Sequence, residues 1–434
     1  MKKRLLNILF WSILSAAFIG PGTITTAAKA GASFQFGLLW ALVFSTFACV
    51  VLQEAAARLS ILSNRSLGAA IAETFGKAKG GWVVFILIIG AIIIGSAAYQ
   101  TGNLLGAAEG ILLLSSISTT QVIIALGILA GFALFFPSLQ ILARSLGFLV
   151  VLMGFAFITT AILIKPEISD LALGSFIPQM PEGSGLLILG LIGTTVVPYN
   201  IFLGSGITDK TQSIKEMRFG ISVAIFLGGI TSMAVLIVGS SIDGEFTYAA
   251  LGQSLGDKLG SWAVWFFGFG LFAAGFSSSI TAPLASAITA RDLFQHKNSR
   301  QWAQNGIYFK LIWGLVLITG IGFGLAGFKP IPAIIAAQAL NGLILPFISI
   351  FLWFAINNFK LMGMNKNSRF QNILFGTIVW VSLVLGLWNV LKAGFSFFNQ
   401  SLLASNLVFA GLFLLTLLIT LFVSRRIQKI NADV

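Results

Sequence analysis

The chain has 434 residues, 57% of them hydrophobic and 9% charged, against about a quarter charged in an ordinary soluble domain, so a water-soluble globule is excluded. Its formal charge of +13 does not signal nucleic acid, because a nucleic-acid groove gathers its basic residues on one soluble face. A single cysteine, Cys49, and a single histidine, His296, leave no intramolecular disulfide and no histidine-based metal site.

Cutting the chain at every Asp, Glu, Lys and Arg leaves twelve charge-free runs of 18 to 34 residues: approximately 5–28, 30–53, 80–108, 110–143, 145–164, 183–208, 219–242, 259–290, 311–328, 330–359, 370–391 and 393–424. Each can cross ~30 Å of hydrocarbon as a helix, and none alternates as a membrane strand does. The expected class is an all-α polytopic membrane protein with about 12 transmembrane helices. With the N-terminus cytoplasmic, 21 of the 26 Lys and Arg fall inside; only Lys165, Lys258, Lys329 and Lys392 fall outside, and Lys29 lies within the membrane region. That bias obeys the positive-inside rule, puts both termini in the cytoplasm and explains the basic charge as topology. Met1–Ala17 has the positive start of a signal peptide, but its apolar stretch runs on and reads as the first helix.

Two runs are interrupted. Gly20-Pro21-Gly22 divides the first, and Pro198 divides the sixth within Thr194-Thr195-Val196-Val197-Pro198-Tyr199-Asn200. Proline removes a backbone donor and glycine permits unwinding. A single such site reads equally well as a kink. Two sites five helices apart match an inverted repeat, in which broken helices occupy corresponding positions around a mid-membrane substrate site. The expected units are residues 1–164, a first five-helix repeat, 165–359, its inverted counterpart, and 360–434, two further helices and a cytoplasmic tail.

Other polar groups lie inside the runs. Thr23, Thr25 and Thr26 follow the first break, Ser277, Ser278, Ser279 and Thr281 fall in helix eight, and Gln338 and Asn341 share a face of helix ten. Hydroxyls in membrane helices commonly bond back to their own backbone, whereas an amide pair is costly to leave unpaired in lipid and suits a cavity wall. Glu54 and Arg58 have the spacing of an i,i+4 ion pair. Lys29 is expected in the last turn of the half-helix after the first break, where a cation offsets the helix dipole.

These segments resemble the Nramp family of divalent-metal transporters. The resemblance is carried by Gly20-Pro21-Gly22-Thr23, Phe36-Gly37-Leu38-Leu39-Trp40, Leu52-Gln53-Glu54-Ala55-Ala56-Ala57-Arg58-Leu59, Gly193–Ser205, Leu271–Thr281 and Gln338–Phe347. It implies the LeuT-type fold of five plus five helices in inverted repeat, with helices one and six broken and two helices added at the C-terminus. It also implies a secondary active transporter in a bacterial cytoplasmic (inner) membrane, working by alternating access with H⁺ or Na⁺ coupling.

Departures from the family fall on its chemistry. Family members carry Asp-Pro-Gly-Asn in helix one, where Gly20 and Thr23 stand here, and Ala-Thr-Val-Met-Pro-His-Asn in helix six, where Thr194 replaces the alanine, Val197 the methionine and Tyr199 the histidine. Ile86–Gln100 lacks the acidic residues of the family's third helix. Losing a carboxylate and a thioether together removes charge compensation and softness. The candidate substrate residues are Gly20, Gly22, Thr23, Thr194, Val197, Tyr199, Asn200, Gln338 and Asn341, with Ser277, Ser278 and Ser279 as a candidate coupling-ion site. No metal ligand set, catalytic residue or cofactor is assigned, and the expected partners are the lipid bilayer and a small inorganic ion or solute. Two alternatives stay open beside metal transport: an anionic or neutral small solute, drawn by the exposed amides of a half-helix, and a membrane sensor that keeps the fold without transport.

Overall fold

The computed structural model describes residues 19–75, 81–208, 212–294, 299–397 and 405–432. Among them all regular structure is helical: α1 (Pro21–Phe34), α2 (Leu39–Ser63), α3 (Leu67–Phe75), α4 (Gly81–Leu112), α5 (Thr119–Phe135), α6 (Pro137–Ile164), α7 (Ile168–Phe176), α8 (Gly185–Thr195), α9 (Pro198–Ile207), α10 (Ile214–Gly239), α11 (Tyr248–Leu259), α12 (Trp262–Phe294), α13 (Ile307–Leu325), α14 (Pro330–Asn357), α15 (Phe359–Met362), α16 (Arg369–Phe397) and α17 (Ser405–Ala432). The first half of the expected helix one, residues 5–18, lies outside the described residues, as do Lys2, Lys3, Arg4, Lys77, Lys79, Lys210, His296 and Lys297.

Ten segments among the described residues are long and apolar enough to cross a membrane, and α8 with α9 forms one of them, Gly185–Gly206. α5 is a shorter apolar helix of 17 residues. The expected run 110–143 therefore contains the end of one helix, all of another and the start of a third. Charge-free runs do not mark helix ends. Local chemistry does: Ser118 caps α5 through the Gln121 amide, and Pro137 opens α6 as its first residue. Lipid-facing positions such as Ile128, Phe132, Leu418 and Phe422 are exposed large hydrophobics, as hydrocarbon requires.

Helices meet through small residues. A Cβ on Gly31 of α1 would strike the backbone of Leu236, Gly239 and Ser240, and one on Gly239 of α10 would strike Ala28. α8 and α14 approach as closely, with Gly193 against the backbone of Gln338 and Gly342, and Gly342 against Leu189. Lipid tails offer no hydrophobic drive between helices, so this close backbone contact and its dispersion energy hold the bundle together. Gly190 of α8 lies against both Thr26 of α1 and Gln338 of α14, which gathers these three helices around one point.

Candidate functional site

That point is where the start of α1 meets the break between α8 and α9. α1 starts with Gly20 as an extended N-cap (φ −95°, ψ 177°) and Pro21 in its first turn, without a side-chain cap. α8 ends at Val196 (φ −102°, ψ 76°), and α9 restarts at Pro198 after an extended Val197 (φ −79°, ψ 119°). The second interruption is a true break and not a kink. Pro198 has no N–H to give the Thr194 carbonyl four residues earlier, so that oxygen loses its helical partner.

The start of α1 and the end of α8 touch through side chains. Thr23 Oγ1 and Thr194 Oγ1 are 2.8 Å apart, joining residues separated by 171 positions, and both are buried. Beside them the rings of Tyr99 (α4) and Tyr199 (α9) meet edge to face at 5.3 Å. A Cβ on Gly20 would lie 3.4 Å from the Tyr99 hydroxyl and 3.6 Å from Ser278 Oγ. Gln338 reaches from α14 to Gly22, where its Nε2 fills the place a Cβ would take, and stands 3.8 Å from the same position on Gly102 of α4. Asn341 Oδ1 lies 2.9 Å from the Cβ position of Gly95.

The wall so formed is polar and neutral. Gln338 Oε1 and both amide atoms of Asn103, Asn200 and Asn341 are buried without a hydrogen-bond partner. Val197 is buried and supplies no donor. No group of three or more His, Cys, Asp or Glu that could hold a metal occurs among the described residues.

The serines of α12 divide. Ser277 and Ser279 donate back to Ala274 O (3.1 Å) and Phe276 O (2.7 Å) of their own helix, the packing behaviour of membrane hydroxyls, while Ser278 faces Gly20. Gln100 Nε2 donates to the Ser279 carbonyl at 3.0 Å. The α4 residues Ser96, Tyr99, Gln100 and Asn103, all buried, were missed as site residues. Their signal was in the sequence: a polar stripe spaced i, i+3, i+4, i+7 along an otherwise apolar helix.

Lys29 requires a correction. α1 continues to Phe34, so no basic residue occupies its last turn, and the residue is not placed against the helix C-terminal dipole. It is half-buried and lines a cavity of about 780 Å³ whose walls also carry Glu109, Glu245, Tyr248 and Lys329. Thr25 Oγ1 donates to the Pro21 carbonyl at 2.6 Å and lies 2.6 Å from the Tyr248 hydroxyl. A threonine has one hydroxyl proton, so Tyr248 is the donor in the second bond.

A family model described as Natural resistance-associated macrophage protein-like (Nramp) matches residues 12–392. The divalent metal cation transporter MntH of Yersinia pestis (strain Pestoides F) is 28% identical over 291 residues, 64% of this chain and 70% of that protein. A solved mutant of the Eremococcus coleocola manganese transporter is similar with a TM-score of 0.69 and 21% identity, covering 98% of this chain and 96% of that one. Mhp1, a nucleobase-cation-symport-1 family transporter solved in a closed conformation with bromovinylhydantoin bound, gives 0.58 and 16%, covering 98% and 92%. The two structures speak for the fold, which is the one expected from the sequence.

Proposed function

The chain belongs to the Nramp family, and from that premise we propose that it is a secondary active transporter carrying a small ion or solute across a bacterial cytoplasmic membrane by alternating access around its two helix breaks. The observation that carries this reading is the buried Thr23–Thr194 contact, which joins the start of α1 to the end of α8 at 2.8 Å. Broken helices place free backbone groups at mid-membrane, where they are tolerated only around a polar site.

The relative from Yersinia is named as a divalent metal cation transporter, so a metal ion is the cargo suggested by kinship. A dication here would meet the Thr194 carbonyl, the hydroxyls of Thr23 and Thr194, and the amides of Gln338, Asn341 and Asn200. All offer neutral oxygen donors only, suited to a hard and partly hydrated ion; without a carboxylate to offset charge or a thioether to favour a soft ion, they make a poor tight site for Mn²⁺ or Cd²⁺. A second reading, a small dipolar solute, is favoured by the buried unpartnered amides, which hydrogen-bond a polar molecule without needing to offset a charge.

Uptake into proteoliposomes tests the reading. Transport of a solute that falls at least tenfold in Thr23→Val with the protein still folded supports it. A wild-type protein that binds ligand and moves none across the bilayer would make it a sensor instead.

A further inference from the structure

The cavity of about 780 Å³ beside α1 presents an arrangement the breaks do not explain. Lys29 and Glu109 are both half-buried and both line it, yet they form no ion pair within 4 Å of each other or of another described residue. Two opposite charges in a partly dehydrated cavity gain by pairing unless something else is to pair with each. At the mouth, exposed Glu245 and Lys329 repeat the same mixture of signs. A metal ion gains nothing from two lysines, and an anion gains nothing from two glutamates. Apart from Thr247 and Tyr248 the remaining lining is apolar, including Leu112, Leu186, Phe246, Ile331 and Ile335.

We propose that this vestibule binds a small zwitterion with an apolar side chain, an amino-acid-like solute whose carboxylate pairs with Lys29 and whose ammonium pairs with Glu109 and the Tyr248 hydroxyl oxygen. Tyr248 is suited to the last role because its proton is committed to Thr25, leaving its lone pairs toward a donor. Burial pushes its phenol pKa up, the Thr25 hydrogen bond works against that and the charge of Glu109 adds to it, so it stays protonated; Glu109 lines the same cavity. The site is tied to the first break. Tyr248 holds Thr25, and Thr25 holds the Pro21 carbonyl, so occupancy bears on the residue at which α1 unwinds. Lys29 stands eight residues beyond Pro21, about 12 Å along the helix axis, so the vestibule is a separate station from the contact of Thr23 with Thr194.

The inference rests on the transporter reading only for the role of the vestibule as an entry station. The test is titration calorimetry of the purified full-length protein in lipid nanodiscs with L-leucine, acetate, methylamine and MnCl₂. L-leucine should bind saturably and at least tenfold tighter than acetate or methylamine, each of which satisfies one charge alone. Lys29→Met and Glu109→Gln should each weaken leucine about tenfold, the scale of one charge-assisted hydrogen bond. Acetate binding as tightly as leucine, or Mn²⁺ binding lost in Glu109→Gln, would overturn the assignment, as would no leucine binding at all. The comparison of the three organic probes needs no variant, so a misfolded substitution leaves the test intact. Leucine binding without uptake of any solute would remove the transporter reading and keep the vestibule; ion uptake without leucine binding would do the reverse.

Discussion

Arg218 on α10 donates through Nε to Glu54 Oε1 on α2 at 2.8 Å, the same oxygen that Arg58 reaches at 3.0 Å from one turn along α2. The i,i+4 pair was expected; the third member comes from 164 residues away. Arg58 also donates to the Asn365 carbonyl at 2.8 Å and to Asn367 Oδ1, so one guanidinium ties α2 to the segment between α15 and α16. Its side chain is 5% exposed and that of Arg218 is 49% exposed.

That contrast sets the first prediction. Arg58→Ala should destabilise by about 3 kcal/mol, because it leaves the Glu54 carboxylate and the Asn365 carbonyl without their buried partner. Arg218→Ala should cost less than about 1 kcal/mol, since water screens its end of the bridge. Denaturant unfolding in mixed micelles measures both, and equal losses would show that exposure does not govern this cluster.

Gly22 offers a test of packing at the first break. A side chain there enters the space held by the Gln338 amide, so Gly22→Leu should lower stability by about 1–3 kcal/mol through overpacking. Adding Gln338→Ala should recover part of the loss. A double variant whose losses simply add would place the two residues out of contact.

Metal affinity is the third. Gly20→Asp, Thr23→Asn and Val197→Met together should create a Cd²⁺ site that the unmodified protein lacks, because they restore a carboxylate, an amide and a thioether. The Tyr99 hydroxyl lies 3.4 Å from the Cβ position of Gly20, so Tyr99→Ala should further strengthen binding by making room for the carboxylate. Calorimetric titration decides the matter; micromolar Cd²⁺ binding by the unmodified chain would mean that neutral donors suffice.

Membrane orientation is the fourth. The positive-inside rule, applied to a division of 21 Lys and Arg on one side to four on the other, predicts that the segment around Ser299 faces the cytoplasm. Ser299→Cys should resist an impermeant thiol reagent in intact cells and react once the membrane is opened. Labelling from outside would reverse the topology.

Much of the fold was legible because its causes are local. Hydrocarbon imposes about 20 apolar residues on each crossing, and the runs met helices nearly one for one. The break at Pro198 was legible too, since a proline cancels one named hydrogen bond. Proline alone did not decide, however: Pro283 and Pro346 lie inside α12 and α14, which continue through them. A membrane helix keeps going past a proline when its neighbours satisfy the freed carbonyl, and those neighbours are not local in sequence.

The site divides along the same line. Residue order by itself determined a helical membrane protein, the break at Pro198, the start of a helix at Pro21, and the absence of a carboxylate at 20 and a sulfur at 197. Tertiary structure decided that Thr23 meets Thr194, that Gln338 fills the space over Gly22, that Ser278 and not its two neighbours faces the break, and that Lys29 shares a cavity with Glu109. The first set follows from the chemistry of single residues and their near neighbours in lipid. The second depends on which helix faces can approach closely enough to pack, and that is set by glycines such as Gly193 and Gly342, which let backbones far apart in the chain touch.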